Sequence, residues 1–402
     1  MKTVKKIKIV VSKKNKETFD FWLRRCKTLY NVCLDEKKFF YQATGESLNK
    51  YEQKKELVDL KKYDKSWKDI PNKSLQEIVF RVDKSFQNFF RGRGYPKYKN
   101  NDNFNSITFM KQDVRIKNNL AHLPKIKEGI KGFEKFPEDY SSVQLLKENE
   151  NYYLIFTYED NKLIENKILN KDVVGCDLGL KTLMTDSNGL EIKRFSISLV
   201  KKYENRIKEL NKSLATKKRG SKRRKKVKRQ LKKTYQKLSN SRKDYLHKES
   251  TKYIKNTQED IVAIGDLEVK KLMKSDNTKQ QNNFSRTYSN AGIRIFVDML
   301  NYKSLKYGKH FYKVNEEYTS KTCSCCSKVN KDLKVSDRNF NCDSCNLSIP
   351  RDVNGAINIM KVYLGTFNPI GVKLKTKKSD ENQTEQIARF EQSDNDSSIP
   401  KE

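Results

Sequence analysis

Acidic residues are in short supply in this chain. Its 402 residues include 86 lysines and arginines but only 50 aspartates and glutamates, a formal net charge of +36. A compact chain with that excess repels itself unless a polyanion neutralises it, and a nucleic acid is the obvious one. Long apolar runs are also missing. No segment has the roughly 20 consecutive apolar residues needed to cross a bilayer as a helix, so no membrane partner is expected. The start, MKTVKKIKIVV, is charged, and its apolar run is too short for a secretory signal. A cytoplasmic, nucleoid-associated location is the expectation. Histidine is scarce as well. His122, His247 and His310 are the only three, and none sits in a motif that demands a base. No tyrosine or serine stands in a recognisable transesterification motif, which disfavours strand transfer.

What is present is concentrated. A merely lysine-rich proteome would spread its charge evenly, but TKKRGSKRRKKVKRQLKK packs much of it into one stretch. Lys217, Lys218, Arg219, Lys222, Arg223, Arg224, Lys225 and Lys226 are its candidate phosphate contacts. Aromatics make up 10% of the chain and often lie among basic residues, as in FFRGRGYPKYK. There Arg91, Arg93, Tyr95, Lys97, Tyr98 and Lys99 combine phosphate pairing with stacking surfaces. The length allows two or three domains.

Residues 1–12 alternate as an edge-like strand with lysines outward. From Lys14 the apolar spacing is helical, with Phe19, Trp22, Leu23, Cys26, Leu29, Tyr30 and Cys33 on one face. A second helix is expected over about Ser47–Tyr63, and a third after Pro71 with Leu75, Ile78, Val79, Val82, Phe86, Phe89 and Phe90. From about Gly94 to Asp172 strands and turns prevail, ending in NYYLIFTYED. Residues 1–12 and 93–170 thus read as one β-rich module, with a helical bundle at 13–92 inserted into it.

The next stretch, VVGCDLG (Val173–Gly179), is an apolar run ending in a carboxylate, Asp177, and a glycine. A buried central strand delivers an acid to a sheet rim in this way. Two further strands follow, with a turn signal at Ser187-Asn188-Gly189. Residues 198–256 read as a basic helical hairpin broken at Gly220-Ser221. IVAIGD (Ile261–Asp266) is a second buried strand, and a helix with Ile295, Phe296, Met299, Leu300 and Leu305 on its apolar side leads to the strand HFYKVNEEYTS. Cys323, Cys326, Cys342 and Cys345 form two C-x2-C pairs spaced C-x15-C, a zinc ribbon over 323–345 with four thiolates and no open position for water. Thiols of a reducing compartment favour metal over disulfides. Cys325 is a bystander, although a ligand swap with Cys326 is conceivable. RDVNGAINIM then carries Asp352, and after Gly365 the chain turns polar, with 371–402 expected to be disordered. Carboxylates brought together by strands and a helix point to a divalent-metal site acting on a nucleic acid.

The order of these motifs resembles the TnpB family, RNA-guided nucleases encoded by insertion sequences and related to type V CRISPR effectors. FFRGRGYPKYK, VVGCDLGLKTLMTDSNG, SKRRKKVKRQ, SNAGIRIFVDMLNYKSLKYGK, NEEYTSKTCSCC and CDSCNLSIPRDVNGAINI carry the likeness, which spans nearly everything but the tail. The resemblance implies an α+β multidomain protein. A ribonuclease H-like (RuvC) nuclease domain at 171–322 and 346–370 is split by the zinc ribbon. A β-barrel wedge domain holds the helical bundle as a recognition domain. It further implies a guide RNA transcribed from the element's own end, a double-stranded DNA target beside a short motif, and two Mg2+ ions with a structural Zn2+. FFRGRGYPKYK would sit where RNA and flanking DNA meet.

In that family three acids hold the two ions. Asp177 fits the first and Asp352 the third. The second is a glutamate in a run like V-I-E-D-L, where this chain has Ile264-Gly265-Asp266. Either the nuclease has lost a ligand and only binds DNA, as a repressor would, or the ligand has moved. Adjacent strands lie about 4.8 Å apart, a gap that a glutamate can span. Glu316, ending the neighbouring strand, is the expected replacement, and family members that pair glycine here with NE-x-YTS there point the same way. Asp266 is expected as a nearby auxiliary. Glu317 falls on the opposite face, and Glu268 lies past the strand end.

Overall fold

The computed structural model describes residues 2–101, 103–159, 172–266, 291–334, 336–370 and 372. The chain forms two compact units, Met1–Lys162 and Leu163–Glu402. Among the described residues no helix is long and apolar enough to cross a membrane.

In the first unit, β1 (Lys2–Lys8) pairs antiparallel with β7 (Asn151–Glu159). The sheet continues through β6 (Ser142–Glu148) to β2 (Ser106–Met110). The first strand thus pairs with the last, and three helices fill the sequence between β1 and β2. They are α1 (Lys13–Thr44), α2 (Lys50–Tyr63) and α3 (Asn72–Phe90). Ser12 caps the start of α1 through Asn15 N–H, and Gly45, at φ +74°, ends it. The helical period of α1 buries all seven residues expected on its face. Phe19 and Trp22 have no exposed surface, and full burial of a large apolar side chain is worth about 2–3 kcal/mol. Burial pushes the Cys26 and Cys33 thiols up to about 12, as for inert core residues. Phe90 departs from expectation: it is exposed, at the very end of α3. A second sheet, β3 (Arg115–Lys117), β4 (Leu120–His122) and β5 (Ile130–Lys131), is tied to the first by the bridge Ile9–Gly132. The strands thus make two sheets and not one continuous closed ladder among the described residues.

The second unit is built on one five-stranded sheet. β8 (Val173–Leu178), β9 (Thr182–Asp186) and β10 (Glu191–Lys193) run antiparallel in sequence; β11 (Ile261–Gly265) and β12 (His310–Val314) add on parallel, giving the order β10-β9-β8-β11-β12. Gly189, at φ +84°, makes the β9–β10 turn, where Asp186 accepts the N–H groups of Asn188 and Leu190. Val174, Cys176, Val262 and Ile264 point to one face, packed beneath α5 (Lys222–Asn256) and α6 (Ile293–Lys306). Ala263 and Val314 point to the other, covered by α7 (Arg351–Tyr363). α4 (Ile197–Ala215) and α5 form the expected hairpin. Gly220 at φ +83° makes the turn, and Ser221 caps α5 through Arg224 N–H. Within α6, Leu305 is exposed, against its expected place on the apolar side. The part of that helix expected before residue 291 lies outside the described residues, as do Glu268 and nearly all of the 371–402 tail.

Lys303 of α6 is buried, its ammonium donating to His247 O, Ser250 Oγ and Thr251 Oγ1, each at 2.7 Å. Burial lowers its pKa to about 8. It braces α6 against α5.

Candidate active site

Glycine sets the geometry of the α7 face. Gly175 lies two residues before Asp177 on the same side of β8. A Cβ there would stand 2.0 Å from Ala356 O and 2.6 Å from Met360 N, so α7 rests on bare backbone. This brings the first turn of α7, with Asp352, to the rim where β8 ends. A Cβ on Gly355 would be 3.2 Å from Asp177 Oδ2, so the Asp177 carboxylate lies against α7 three residues on from Asp352. Asp352 sits in the first turn, where the helix dipole favours a negative charge.

Glu316 arrives from the neighbouring strand. Gly265 pairs with Val314, and Glu316 follows two residues later. β12 ends sooner than expected, at Val314, because the Asn315 side chain accepts the Glu317 N–H and turns the chain. Glu316 therefore lies past the strand and not within it. Its carboxylate still fills the space beside Gly265: a Cβ at 265 would meet Glu316 Oε2 at 2.7 Å and Glu316 Cβ at 3.3 Å.

Electrostatics links the three acids. Burial, then the negative charges of Asp352 and Glu316, pushes the Asp177 carboxyl up to about 8, with Arg351 opposing. Asp266 is not brought in. It is exposed, one residue past β11, and strand alternation turns it away from the face that Gly265 shares with Glu316. Three residues near these acids escaped sequence reasoning: Arg351, beside Asp177, and the fully buried Asn354 and Asn358. Asn354 and Asn358 stand four apart on the buried, otherwise apolar face of α7, a signal that could have been read.

The four cysteines do cluster. β13 (Asn339–Asn341) and β14 (Ser348–Pro350) form a hairpin whose loop carries Cys342 and Cys345. Cys323 Sγ lies 3.6 Å from Cys345 Sγ, and Cys326 Sγ 3.5 Å from Cys342 Sγ. A disulfide would need about 2.05 Å. A zinc tetrahedron with Zn–S of about 2.3 Å has edges near 3.8 Å, so the donor set fits Zn2+. Burial raises Cys323 to about 12. For Cys342 burial also pushes upward, but the Ser344 and Cys345 N–H groups together with the Cys326 and Cys345 thiols outweigh it and bring the thiol down to about 7. Cys325 is exposed. Among the described residues these four cysteines alone bring three or more potential ligand atoms within 4.8 Å of one another. The three acids stand wider apart than that.

The basic candidates fall into two groups, one in each unit. In the first unit Arg91, Arg93, Tyr95, Lys97 and Tyr98 are exposed. Tyr95 packs edge-on against Phe86 and Phe89, and the Lys38 ammonium lies 4.1 Å above the Tyr98 ring. Asn31 pins Lys99 through both backbone groups. In the second unit Lys218, Arg219, Lys222, Arg223, Lys225 and Lys226 are exposed at the α4–α5 turn. Arg224 differs: its guanidinium donates to Leu214 O and to Lys217 O, at 3.0 Å for the latter, and holds the end of α4.

Known proteins share this pattern. A family model described as "Probable transposase" matches residues 153–276, and one described as "Cas12f1-like, TNB domain" matches residues 294–359. "TnpB-like protein L79" of Acanthamoeba polyphaga mimivirus is 32% identical over 229 residues, covering 56% of this chain and 43% of that one. The chain is similar to TnpB-like proteins. An Escherichia coli (strain K12) protein named "Putative RNA-guided DNA endonuclease InsQ" is 25% identical over 355 residues, covering 83% of this chain and 86% of its own. A Streptomyces pristinaespiralis protein named "Putative RNA-guided DNA endonuclease" is 26% identical, with 82% and 79% covered. Among solved structures, a CRISPR-Cas12f ternary complex aligns at a TM-score of 0.37 and 17% identity, over 92% of this chain and 83% of that one.

Proposed function

We propose that this TnpB-like protein is an RNA-guided DNA endonuclease of a transposable element, cutting target DNA next to a short flanking motif. The observation that carries this reading is the meeting of Asp177, Asp352 and Glu316 on the α7 face of one sheet. The names of its bacterial relatives support it. The order of three antiparallel strands followed by two parallel ones, helix-covered on both faces, supports a ribonuclease H-like (RuvC) domain at 171–322 and 346–370. The four-cysteine cluster supports a zinc ribbon at 323–345. The two-sheet module at 1–12 and 93–170, with helices at 13–92, fits a wedge domain holding a recognition domain.

Two Mg2+ ions, when bound, would activate water and stabilise the leaving oxygen of the scissile phosphate. The residues present fit such a pair. Hard carboxylate oxygens suit Mg2+, and the negative charges of Asp352 and Glu316 that hold the Asp177 carboxyl up call for added positive charge. In a two-metal site the ions stand about 3.5–4 Å apart, so acids flanking the pair need not crowd around one point. Asp177, Glu316 and Asp352 would hold the ions. Asp266 would stay outside.

The guide RNA, transcribed from the element's end, would supply sequence specificity by base pairing, while the protein reads backbone shape and the flanking motif. Exposed lysines and arginines at 217–226 and 91–99 would hold phosphates. The test is cleavage of a target plasmid by the purified guide-loaded complex in Mg2+. Linear product that disappears with Asp177→Asn supports the reading. Tight target binding by wild type with no cut would favour an RNA-guided repressor instead.

A further inference from the structure

α7 does more than carry Asp352. Asn354 and Asn358 are both fully buried, although asparagine is a poor helix former and a buried amide is costly unless hydrogen-bonded. Both amides reach the same short stretch of chain. Asn358 Nδ2 donates to Thr319 O at 2.8 Å and to Thr322 O at 2.7 Å. Asn354 Nδ2 donates to Thr322 O at 2.8 Å, and its Oδ1 accepts the Ser324 N–H at 2.9 Å. That stretch runs from Glu316 to the first zinc-type cysteine, Cys323. Thr319 closes its start, with N–H and Oγ1 both donating to Glu316 O, at 3.2 and 2.8 Å. Thr322 closes its end, with N–H and Oγ1 donating to Tyr318 O at 3.0 and 2.9 Å.

We propose that Asn358 is a positioning residue: through Thr319 it fixes the turn that aims Glu316 at Asp177 and Asp352. This rests on the proposed metal-binding role of those acids. Glu316 lies beyond the end of β12, and its carboxylate occupies the space over Gly265. The two amides add bonds to this segment from the helix that carries Asp352. Two acids from distant parts of the chain are thereby referred to one rigid element. Asn354, bonded to Thr322 and Ser324, ties the cysteine knuckle to the same helix.

The test follows the Mg2+ concentration that gives the half-maximal rise in melting temperature of the full zinc-loaded chain, a readout that requires no cleavage. Asn358→Leu should raise that concentration roughly tenfold, the lower end of what loss of a ligand-orienting partner costs a metal site. Zinc content should stay as in wild type. Thr319→Val removes only the hydroxyl bond to Glu316 O and should raise it several-fold, which decides the matter if Asn358→Leu folds poorly. In a Glu316→Ala background neither substitution should shift the midpoint further. If Glu316→Ala shifts the midpoint and Thr319→Val and Asn358→Leu do not, the positioning role is overturned while the metal site stands. Equal shifts with and without Glu316 would reveal general loosening and overturn it too. If Glu316→Ala leaves the midpoint unchanged, the metal role of Glu316 and the positioning role fail together.

Discussion

At the scale of single residues, Gly265 is the most revealing position. An alanine there puts its Cβ 2.7 Å from the far end of a flexible side chain, Glu316 Oε2, and 3.2 Å from Ile359 Cδ1 and 3.3 Å from Glu316 Cβ, so the fold yields mainly by moving the Glu316 side chain, with a few tenths of an ångström from Ile359. Gly265→Ala should therefore change thermal stability by about 1 kcal/mol or less while lowering cleavage at least tenfold, of order 1.4 kcal/mol in barrier. Parallel melting and plasmid-cleavage assays check this. Asp177 makes a second prediction, in pH. Its folded-state pKa of about 8 lies above the unfolded value of about 3.9. Between those values the folded protein binds more protons than the unfolded chain, so this group's contribution to stability falls as pH rises through the window. Without divalent metal, wild type should thus lose melting temperature relative to Asp177→Asn as pH climbs from 5 to 8.5. Added Mg2+ should reverse the loss in wild type alone. Melting curves in chelator and in Mg2+ measure both.

At the scale of elements, much of the fold was legible. The three- and four-residue spacing of α1 marked all seven of its core residues, because one apolar face is what burial requires of a helix. Apolar runs at 173–178 and 261–265 marked strands covered on both faces. The site was half legible. Asp177 and Asp352 stood in motifs, and the glycine at 265 implied an emptied space that another acid could fill. What could not be read was local hydrogen bonding. Asn315 ends β12 early through its side chain, and Arg224, lost in a run of like charges, caps α4. Neither role alters an apolar period, so neither leaves a trace in one. Arg224→Ala should accordingly destabilise the α4–α5 hairpin by about 1–2 kcal/mol, the worth of charged hydrogen bonds at a helix end. Lys225→Ala should leave it within about 0.5 kcal/mol. Hydrogen exchange across residues 210–230 separates the two.

At the scale of the whole molecule, charge and chemistry answer each other. A chain of net charge +36 carries a cluster of acids, and under the proposed function a nucleic acid with its metal ions would neutralise both. Affinity for nucleic acid should fall linearly on a log–log plot against salt. Replacing Lys222, Lys225 and Lys226 together by glutamine should flatten that slope by up to about 3, near one for each phosphate no longer neutralised. Cutting should respond quite differently, through the acids alone. The decisive measurement is the single-turnover rate of target-plasmid cleavage by the guide-loaded complex, wild type against Glu316→Gln, at saturating Mg2+ with target binding measured in parallel. A loss of at least about 100-fold with binding intact is the result expected of a charge-bearing metal ligand. Equal rates for the two proteins would contradict the convergence of Glu316 with Asp177 and Asp352 as the cutting centre.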